Sequence, residues 1–579
     1  MRAHKTMLCS LLLVSGPLFG AGANVFIQHN LVADTAGVAD VTDPKLVNPW
    51  GISESATGPF WVSNAGSGTS TLYNGSGTII PLVVTVPAAA SGQTGTPTGQ
   101  VVNSVTSAFQ LANGRGASFI FASEDGVITA WNGGTTAAIM VNNSSTAVYK
   151  GLATGTSSNG PMLYAANFKS GKIDVFDGKF QPATVSGGFT NANVPAGFAP
   201  FNIWPQGGKL YVAYAKQASD QFHDAPGAGN GFLASFDFDG NLQKQLVSNG
   251  ALNSPWGIAL APSTFGAFAG DLLIGNFGDG KINAFDPTSG NLLGTLQDST
   301  GNPIVISGLW ALLFGNSGTG GDKNTLYFTA GPGGQQHGLL GSIAPPAAIL
   351  GIQNGASQVS GPVVPGEVLI LTGLTIGPSP TSSAVVPASG KVGGSLGGAS
   401  VTFNGTAAPI LYTSASQTSV LVPYEIAGST TANISVAYRG QTATKQAPVA
   451  ASAPGVFTLN YSGSGQIVAL NIDDTVNQSS NPAAAGSEIT FFATGVGLTN
   501  PTGEDGVVDD QIVRTPQLSV TVSIGGQNAQ VTYSGSASNL VQGVTQIQAV
   551  IPNGVTGTVP VVLTVGSSSS QANATISVK

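Results

Sequence analysis

Short apolar stretches separated by runs of Ser, Thr, Asn and Gly set the rhythm of this chain. Stretches such as Phe60-Trp61-Val62-Ser63, Leu272-Leu273-Ile274 and Leu326-Tyr327-Phe328 are strand-length, and turn residues bound them. That pattern predicts strands joined by tight turns. No long stretch with helical periodicity follows the first 20 residues. Ala574 to Lys579 reads as a closing strand.

Over residues 24–345 the pattern repeats. Asn48-Pro49-Trp50-Gly51-Ile52 leads to Phe60–Asn64, and Ser254-Pro255-Trp256-Gly257-Ile258 leads to Leu272–Asn276. Lys150-Gly151-Leu152, Pro200-Phe201-Asn202-Ile203 and Gly308-Leu309-Trp310-Ala311-Leu312 open three more units, and a weaker one runs through Ser118–Trp131. Six units of roughly 50 residues are the scale of propeller blades, which must stack because one small sheet cannot bury both faces. The sixth unit shows only three strands, so Val25–Val32 is expected to supply its fourth and close the ring.

The predicted fold class is therefore all-β: a six-bladed β-propeller followed by two immunoglobulin-like β-sandwich modules. The expected boundaries are 1–23 signal peptide, 24–345 propeller, 346–452 first sandwich and 453–579 second sandwich. Beyond Pro346 the aromatics thin out and alternating strands appear, as in Ala432–Tyr438.

Composition narrows the setting. Among 579 residues 81 are Gly, only 8% are charged, and the net charge is −8. No Lys/Arg cluster exists to follow a phosphate backbone, so nucleic acid is not an expected partner. Arg2, His4 and Lys5, the apolar run Leu8–Val14, and Ala21-Gly22-Ala23 predict a signal peptide cleaved after Ala23. The single cysteine, Cys9, would leave with it. No later apolar run is long enough for a transmembrane helix. The expected location is extracellular, periplasmic or at the outer cell surface.

The units resemble six-bladed propellers of the NHL-repeat and gluconolactonase-like kind, and a family of uncharacterised secreted bacterial propeller proteins. The residues carrying this are NPWGI (48–52), SEDGVITAWN (123–132), VYKGLA (148–153), PFNI (200–203), KLYVAYAKQ (209–217), SPWGIALAP (254–262), LLIGNFGDGKINAFD (272–286) and GLWALLFG (308–315). IQNGAS (352–357), VTFNGTAAPILYTSASQTSVLVPYEI (401–426), APGVFT (453–458), ALNIDDTVNQSSNPAAAGSEITFFATGVG (469–497) and VPVVLTVG (559–566) resemble a module recurring in secreted acidobacterial proteins. That resemblance implies an accessory surface or adhesion role and no catalysis.

Several sets of residues offer chemistry. Trp50, Lys150, Phe201, Trp256 and Trp310 recur at the start of the innermost strand. They either line a channel that stacks on sugars or pack blade against blade. Asn64, Asn167 and Asn276 recur after the second strand. The gluconolactonase-like resemblance implies Ca²⁺ there, with Glu124 and Asp125 nearby; the alternative is turn geometry. His223-Asp224 and His337 lie in loops that either converge on a metal or proton-transfer site or are merely solvated. Gly393–Gly397 fits G-x-S-x-G but sits in a Gly/Ser loop. Asp237–Asn241 reads as a tight turn, and Glu504, Asp505, Asp509 and Asp510 as an acidic loop with a weak Ca²⁺ alternative.

The leading expectation is a secreted or cell-surface binding protein. Its propeller would present a ligand site and its sandwiches would act as adhesion or spacer modules, with carbohydrate or protein as partner. The alternatives are a metal-dependent lactonase-, lyase- or hydrolase-like enzyme, and a structural envelope protein.

Overall fold

In the computed structural model the described residues are 24–385, 390–508 and 512–579. The signal-peptide reading with Cys9, and the acidic positions Asp509 and Asp510, lie outside them. The described chain is almost wholly β and divides into two compact units, one ending at Pro345 and the other running Pro346–Lys579. No helix among the described residues is long and apolar enough to cross a membrane.

The first unit is a six-bladed propeller. Its four-stranded sheets start at Pro49, Pro97, Tyr149, Phe198 and Pro255, and a sixth sheet starts at Leu309. Each inner strand packs beside the inner strand of the next blade, and Leu309–Phe314 packs beside Pro49–Ser53 to complete the ring. The sixth sheet takes its outer strand from the other end of the sequence. Ile27–Ala33 runs antiparallel to Leu339–Ala344, as expected, and Val41–Thr42 adds a short fifth strand.

Second strands such as Phe60–Asn64, Leu272–Asn276 and Leu326–Ala330 are buried at every position. A blade is covered on both faces by its neighbours, so these strands carry continuous apolar runs instead of alternation. Apolar layers fill the spaces between successive blades.

The glycines of the repeated motif allow the inner strands to close on one another. A Cβ at Gly51 would lie 2.5 Å from the Thr98 carbonyl oxygen, one at Gly99 2.5 Å from Leu152 N, and one at Gly257 2.7 Å from the Trp310 carbonyl oxygen. In blade 4 the same place is Asn202, whose Nδ2 donates to the Trp256 carbonyl at 2.8 Å.

In the second unit, strands alternate where one face meets solvent, as in Thr431–Tyr438. The first sandwich joins a sheet containing Ala348–Asn354 and Val368–Leu374 to one containing Ala399–Phe403 and Thr431–Tyr438. Residues of both sheets share one apolar core. The second module departs from two separate sheets: a ten-stranded sheet curls around its own core. Ser395 lies in a two-residue strand paired to Ala399–Phe403, so G-x-S-x-G forms no strand-to-helix elbow.

Candidate binding site at one mouth of the propeller

Strand register brings the candidate residues to one end of the ring. Pro49 pairs with Asn64, Pro97 with Ser123, Tyr149 with Asn167, Pro255 with Asn276, and Leu309 with Ala330. Inner strands therefore begin where second strands end. The loops carrying Glu124, His223, Asp224 and His337 follow those second strands.

At this end four of the recurring side chains meet across the axis. The Trp50 and Trp310 rings stack with centroids 3.5 Å apart, and Trp256 stands edge-on to both at 6.1 and 6.0 Å. Phe201 lies 6.1 Å from Trp310, and Phe277 stacks on the other face of Trp310 at 4.1 Å. All four ring-position aromatics are buried. Of the two alternatives for this ring, the geometry is that of packing: the rings fill the axis against one another. Two indoles also find polar partners, since Trp256 Nε1 donates to the Lys150 carbonyl and Trp310 Nε1 to Asn48 Oδ1. Trp50 Nε1 is buried with no partner among the described residues.

Lys150 is the exception in the ring. Its side chain is 3% exposed, and its ammonium donates to Glu124, which follows the second strand of blade 2. Three rings surround Nζ: Phe222 at 4.8 Å, Trp50 at 5.1 Å and Phe168 at 5.9 Å. These faces attract a cation, and the buried ion pair holds its geometry only because both charges are answered.

Phe222 arrives on a small hairpin within the 217–231 loop. Gln217 bridges to Asp224, Ala218 N–H donates to the His223 carbonyl, and Gln217 Nε2 donates to the Phe168 carbonyl. Asp224 follows. Burial pushes its carboxyl pKa up, against the pull of Ser254, the Lys150 ammonium and His223. The Ser254 hydroxyl is close enough to Asp224 to act on that pKa. Yet neither this hydroxyl nor Asp224 Oδ2 completes a well-formed hydrogen bond among the described residues, and both atoms are buried. Ser254 holds φ at +47° immediately before Pro255, a backbone state serine seldom adopts. Such strain persists only where surrounding structure imposes it.

The histidines do not come together on a shared partner. His223 Nδ1 meets Asp220 Oδ2 at 2.6 Å in solvent, and His337 Nδ1 meets Asp34 Oδ2 at 2.9 Å. Each has its own carboxylate.

The recurring asparagines take part in turn and blade bracing, the alternative to Ca²⁺, although Asn64 Oδ1 is buried without a hydrogen-bond partner among the described residues. Asn167 Oδ1 accepts the Val148 N–H and its Nδ2 donates to Asp174. Asn276 Oδ1 accepts the Asn253 N–H and its Nδ2 donates to the Ala251 carbonyl and Asp279. Asn64 Nδ2 donates to Thr71 within blade 1. Among the described residues no three His, Cys, Asp or Glu side chains are grouped to hold a metal.

In the second unit, Asp505 Oδ1 accepts the Tyr424 N–H. Burial, with Glu425 beside it, pushes the Asp505 pKa up to about 6. Glu504 lies 3.8 Å from Arg514 Nη2. These acidic residues tie loops together. Asp237 Oδ1 likewise accepts the Asp239 and Asn241 N–H groups, as a tight turn requires.

Sequence reasoning missed the inner strand of blade 2, Pro97–Val102, which puts Thr98 at the ring position. The signal was Pro97-Thr98-Gly99, a Pro-x-Gly spacing shared with Pro49-Trp50-Gly51. It also missed Phe222, which carries no repeat signature, and the roles of Phe168 and Ser254, whose positions do repeat, as Asn-Phe at 167–168 and 276–277 and as the residue before Pro at 48 and 254.

No family model matches the chain. Three uncharacterised proteins of Acanthamoeba polyphaga mimivirus are similar to it. One is 34% identical over 326 residues, covering 54% of this chain and 78% of the relative. A second is 31% identical over 330 residues, covering 54% and 84%. A third is 31% identical over 202 residues, covering 33% and 37%. Among solved structures, a PQQ-bound aldose sugar dehydrogenase from Streptomyces coelicolor aligns at 13% identity, covering 56% of this chain and all of that one, with a TM-score of 0.33. A glucose dehydrogenase aligns at 11%, covering 55% and 99%, with a TM-score of 0.35. Similarity that weak carries no argument about chemistry, and the propeller stands on its own six sheets. The identity to the first mimivirus protein, over most of that protein's length, decides the kinship: the chain belongs to the family of these uncharacterised mimivirus proteins.

Proposed function

We propose that the propeller is a binding module that takes a small polar ligand, of carbohydrate type, at the mouth formed by Lys150, Glu124, Phe222, Asp224 and Ser254. One observation carries this reading. Trp50 Nε1, Asp224 Oδ2 and Ser254 Oγ are buried beside a caged ammonium with no well-formed hydrogen bond among the described residues. Unpaired buried polar groups cost free energy unless something answers them, and they collect where ligands bind. Phe222 is half-buried and adds an aromatic face at the rim. We propose further that the chain is exported and works at or near a cell surface, with the sandwiches as spacers or adhesion modules. The N-terminal sequence and the surface-module resemblance support that setting.

The first test is a thermal-shift screen of the full chain against neutral and acidic sugars, read by tryptophan emission. All six tryptophans precede Pro346, so this signal follows the propeller. A ligand bound only by the folded state raises the melting temperature. No shift with any sugar at millimolar concentration overturns the carbohydrate reading.

A second reading, an enzyme, is favoured by one feature. Asp224 holds a raised pKa beside a hydroxyl that completes no hydrogen bond, the condition for a proton donor. Turnover of a lactone or glycoside that Asp224→Asn abolishes would support it; equal turnover in the variant would not.

A further inference from the structure

We infer that residues 218–223 form a lid over the Lys150 mouth, latched by the ring of Phe222 on the ammonium, and that a ligand is admitted when this tip lifts. The lid stands on geometry; that a ligand passes beneath it rests on the binding reading. With the tip down, the groups that would meet a ligand are covered. The Lys150 side chain is 3% exposed and that of Glu124 15%. Trp50 Nε1, Asp224 Oδ2 and Ser254 Oγ are buried as well. Binding at these groups therefore requires a part that moves, and the three rings around Nζ differ in their freedom to do so. Trp50 lies in the inner strand Pro49–Ser53, Phe168 directly follows the strand Gly160–Asn167, and both are buried. Phe222 is half-buried and sits on a loop.

Blade 4 departs from the repeat here. The second and third strands are joined at 65–68, 168–171 and 277–281 in blades 1, 3 and 5, and at 217–230 in blade 4. The stem of this longer loop is fixed. Gln217 N–H donates to the Gly197 carbonyl, Gln217 Nε2 to the Phe168 carbonyl, and Ala225 N–H to the Lys216 carbonyl. The tip is bonded only to itself. Among the described residues, Ala218 N–H donates to the His223 carbonyl and Gln221 N–H to the Ala218 carbonyl. The Phe222 and His223 N–H groups donate to Asp220 Oδ1, and His223 Nδ1 meets Asp220 Oδ2. Ser219, Asp220, Gln221 and His223 are exposed. What holds the tip down is Phe222, whose ring lies 4.8 Å from Lys150 Nζ. The tip can thus swing as one piece about Gln217 and Asp224, giving up one cation–π contact and the burial of one ring while its hydrogen bonds stay made. Segments held so lightly open locally, well short of global unfolding.

The test is amine labelling of the full chain with N-hydroxysuccinimidyl acetate at pH 8, read residue by residue by mass spectrometry across low urea concentrations. Exposed Lys179 and Lys209 serve as references. Lys150 is expected to be acetylated more slowly than they are, at a rate that low urea leaves unchanged, because the opening that uncovers it is local. Phe222→Ala should label Lys150 at least about tenfold faster, with Lys179 and the melting temperature unmoved. Phe222→Leu keeps an apolar cover but no π face and should label it at least about threefold faster. Lys150 labelling that rises with urea in step with global unfolding, or that is undetectable before unfolding, overturns the lid. Labelling of Phe222→Leu at the wild-type rate removes the latch and overturns the inference. Should Phe222→Ala not fold, the urea dependence of the wild type decides. The sugar screen stays separate. Local labelling without any thermal shift keeps the lid and sinks the carbohydrate reading; a thermal shift with labelling that follows global unfolding does the reverse.

Discussion

Glu367 is a fully buried carboxyl in the second unit, and replacing it with glutamine should invert its effect on stability across the pH scale. Asn354 Nδ2 donates to Glu367 Oε1 at 2.8 Å, and the Val364 N–H donates to Oε2 at 2.9 Å. Burial outweighs both bonds and pushes the pKa up from 4.5 to about 8. The folded state therefore holds a proton that the unfolded chain releases. Stability from this group is fully present below pH 4.5, is lost as pH rises through about 8, and is level beyond. At about 1.36 kcal/mol per pH unit the loss is about 3 kcal/mol at pH 7 and about 5 kcal/mol above pH 8. The glutamine of Glu367→Gln cannot ionise and escapes that loss. Its penalty lies instead in hydrogen bonding, because its NH₂ must face one of the two donors. Asn354 cannot turn to help, since its Oδ1 already accepts the Ala356 and Ser357 N–H groups. One unsatisfied buried group costs about 1–3 kcal/mol. Glu367→Gln should be the less stable protein at pH 5 and the more stable one at pH 9, with the curves crossing between about pH 5 and 7. Urea unfolding followed by hydrogen exchange in Val368–Leu374 measures the second unit, while tryptophan emission follows the propeller as an internal control. Parallel stability profiles for the two proteins from pH 5 to 9 would refute the reasoning.

Three further outcomes follow from the packing. Deleting residues 24–33 removes the strand paired with Leu339–Ala344 and should lower the propeller's melting temperature by at least about 5 °C; an unmoved transition refutes closure by this strand. Gly257→Ala drives a Cβ to within 2.7 Å of the Trp310 carbonyl oxygen and should destabilise the propeller by about 1–3 kcal/mol in urea titrations. Asn167→Ala deletes bonds to the Val148 N–H and to Asp174 and should cost about 1–3 kcal/mol. Adding Ca²⁺ or EDTA should leave the wild-type transition where it is, and a Ca²⁺-dependent rise would restore the metal reading of these asparagines.

Much of the propeller was legible because each blade repeats one physical problem. An inner strand must approach its neighbour, and Pro-x-Gly before an apolar residue solves it at 49–51 and 255–257. The same repetition hid roles. Asn64, Asn167 and Asn276 recur in sequence whether they bind a cation or brace a turn, and only their partners distinguish the two. Blade 2 was hidden because Thr98 carries no aromatic signal. The cage around Lys150 was hidden for a different reason. Phe168 repeats as Phe277 does, but Phe222 comes from a loop segment the repeat does not contain, and no periodicity pairs Glu124 with the next blade's lysine.

The site nevertheless has a sequence address, and it lies where the repeat is broken. In blade order the ring positions are Trp50, Thr98, Lys150, Phe201, Trp256 and Trp310. Four are aromatic and close the axis against one another; the two that are not are adjacent. A short Thr98 leaves blade 2 without a ring to offer the axis, and blade 3 sends in an ammonium. Such a charge cannot remain buried alone, and the counter-ion comes from the same blade that lost its aromatic, through Glu124. Trp50 stands on the other side of this gap and its indole N–H goes unanswered, whereas Trp256 and Trp310, on the unbroken side, each find an acceptor. A departure from the repeat at two neighbouring blades thus converts one sector of a packed aromatic ring into a charged sector, with Lys150 beside Glu124 and Asp224 and an indole N–H left unanswered.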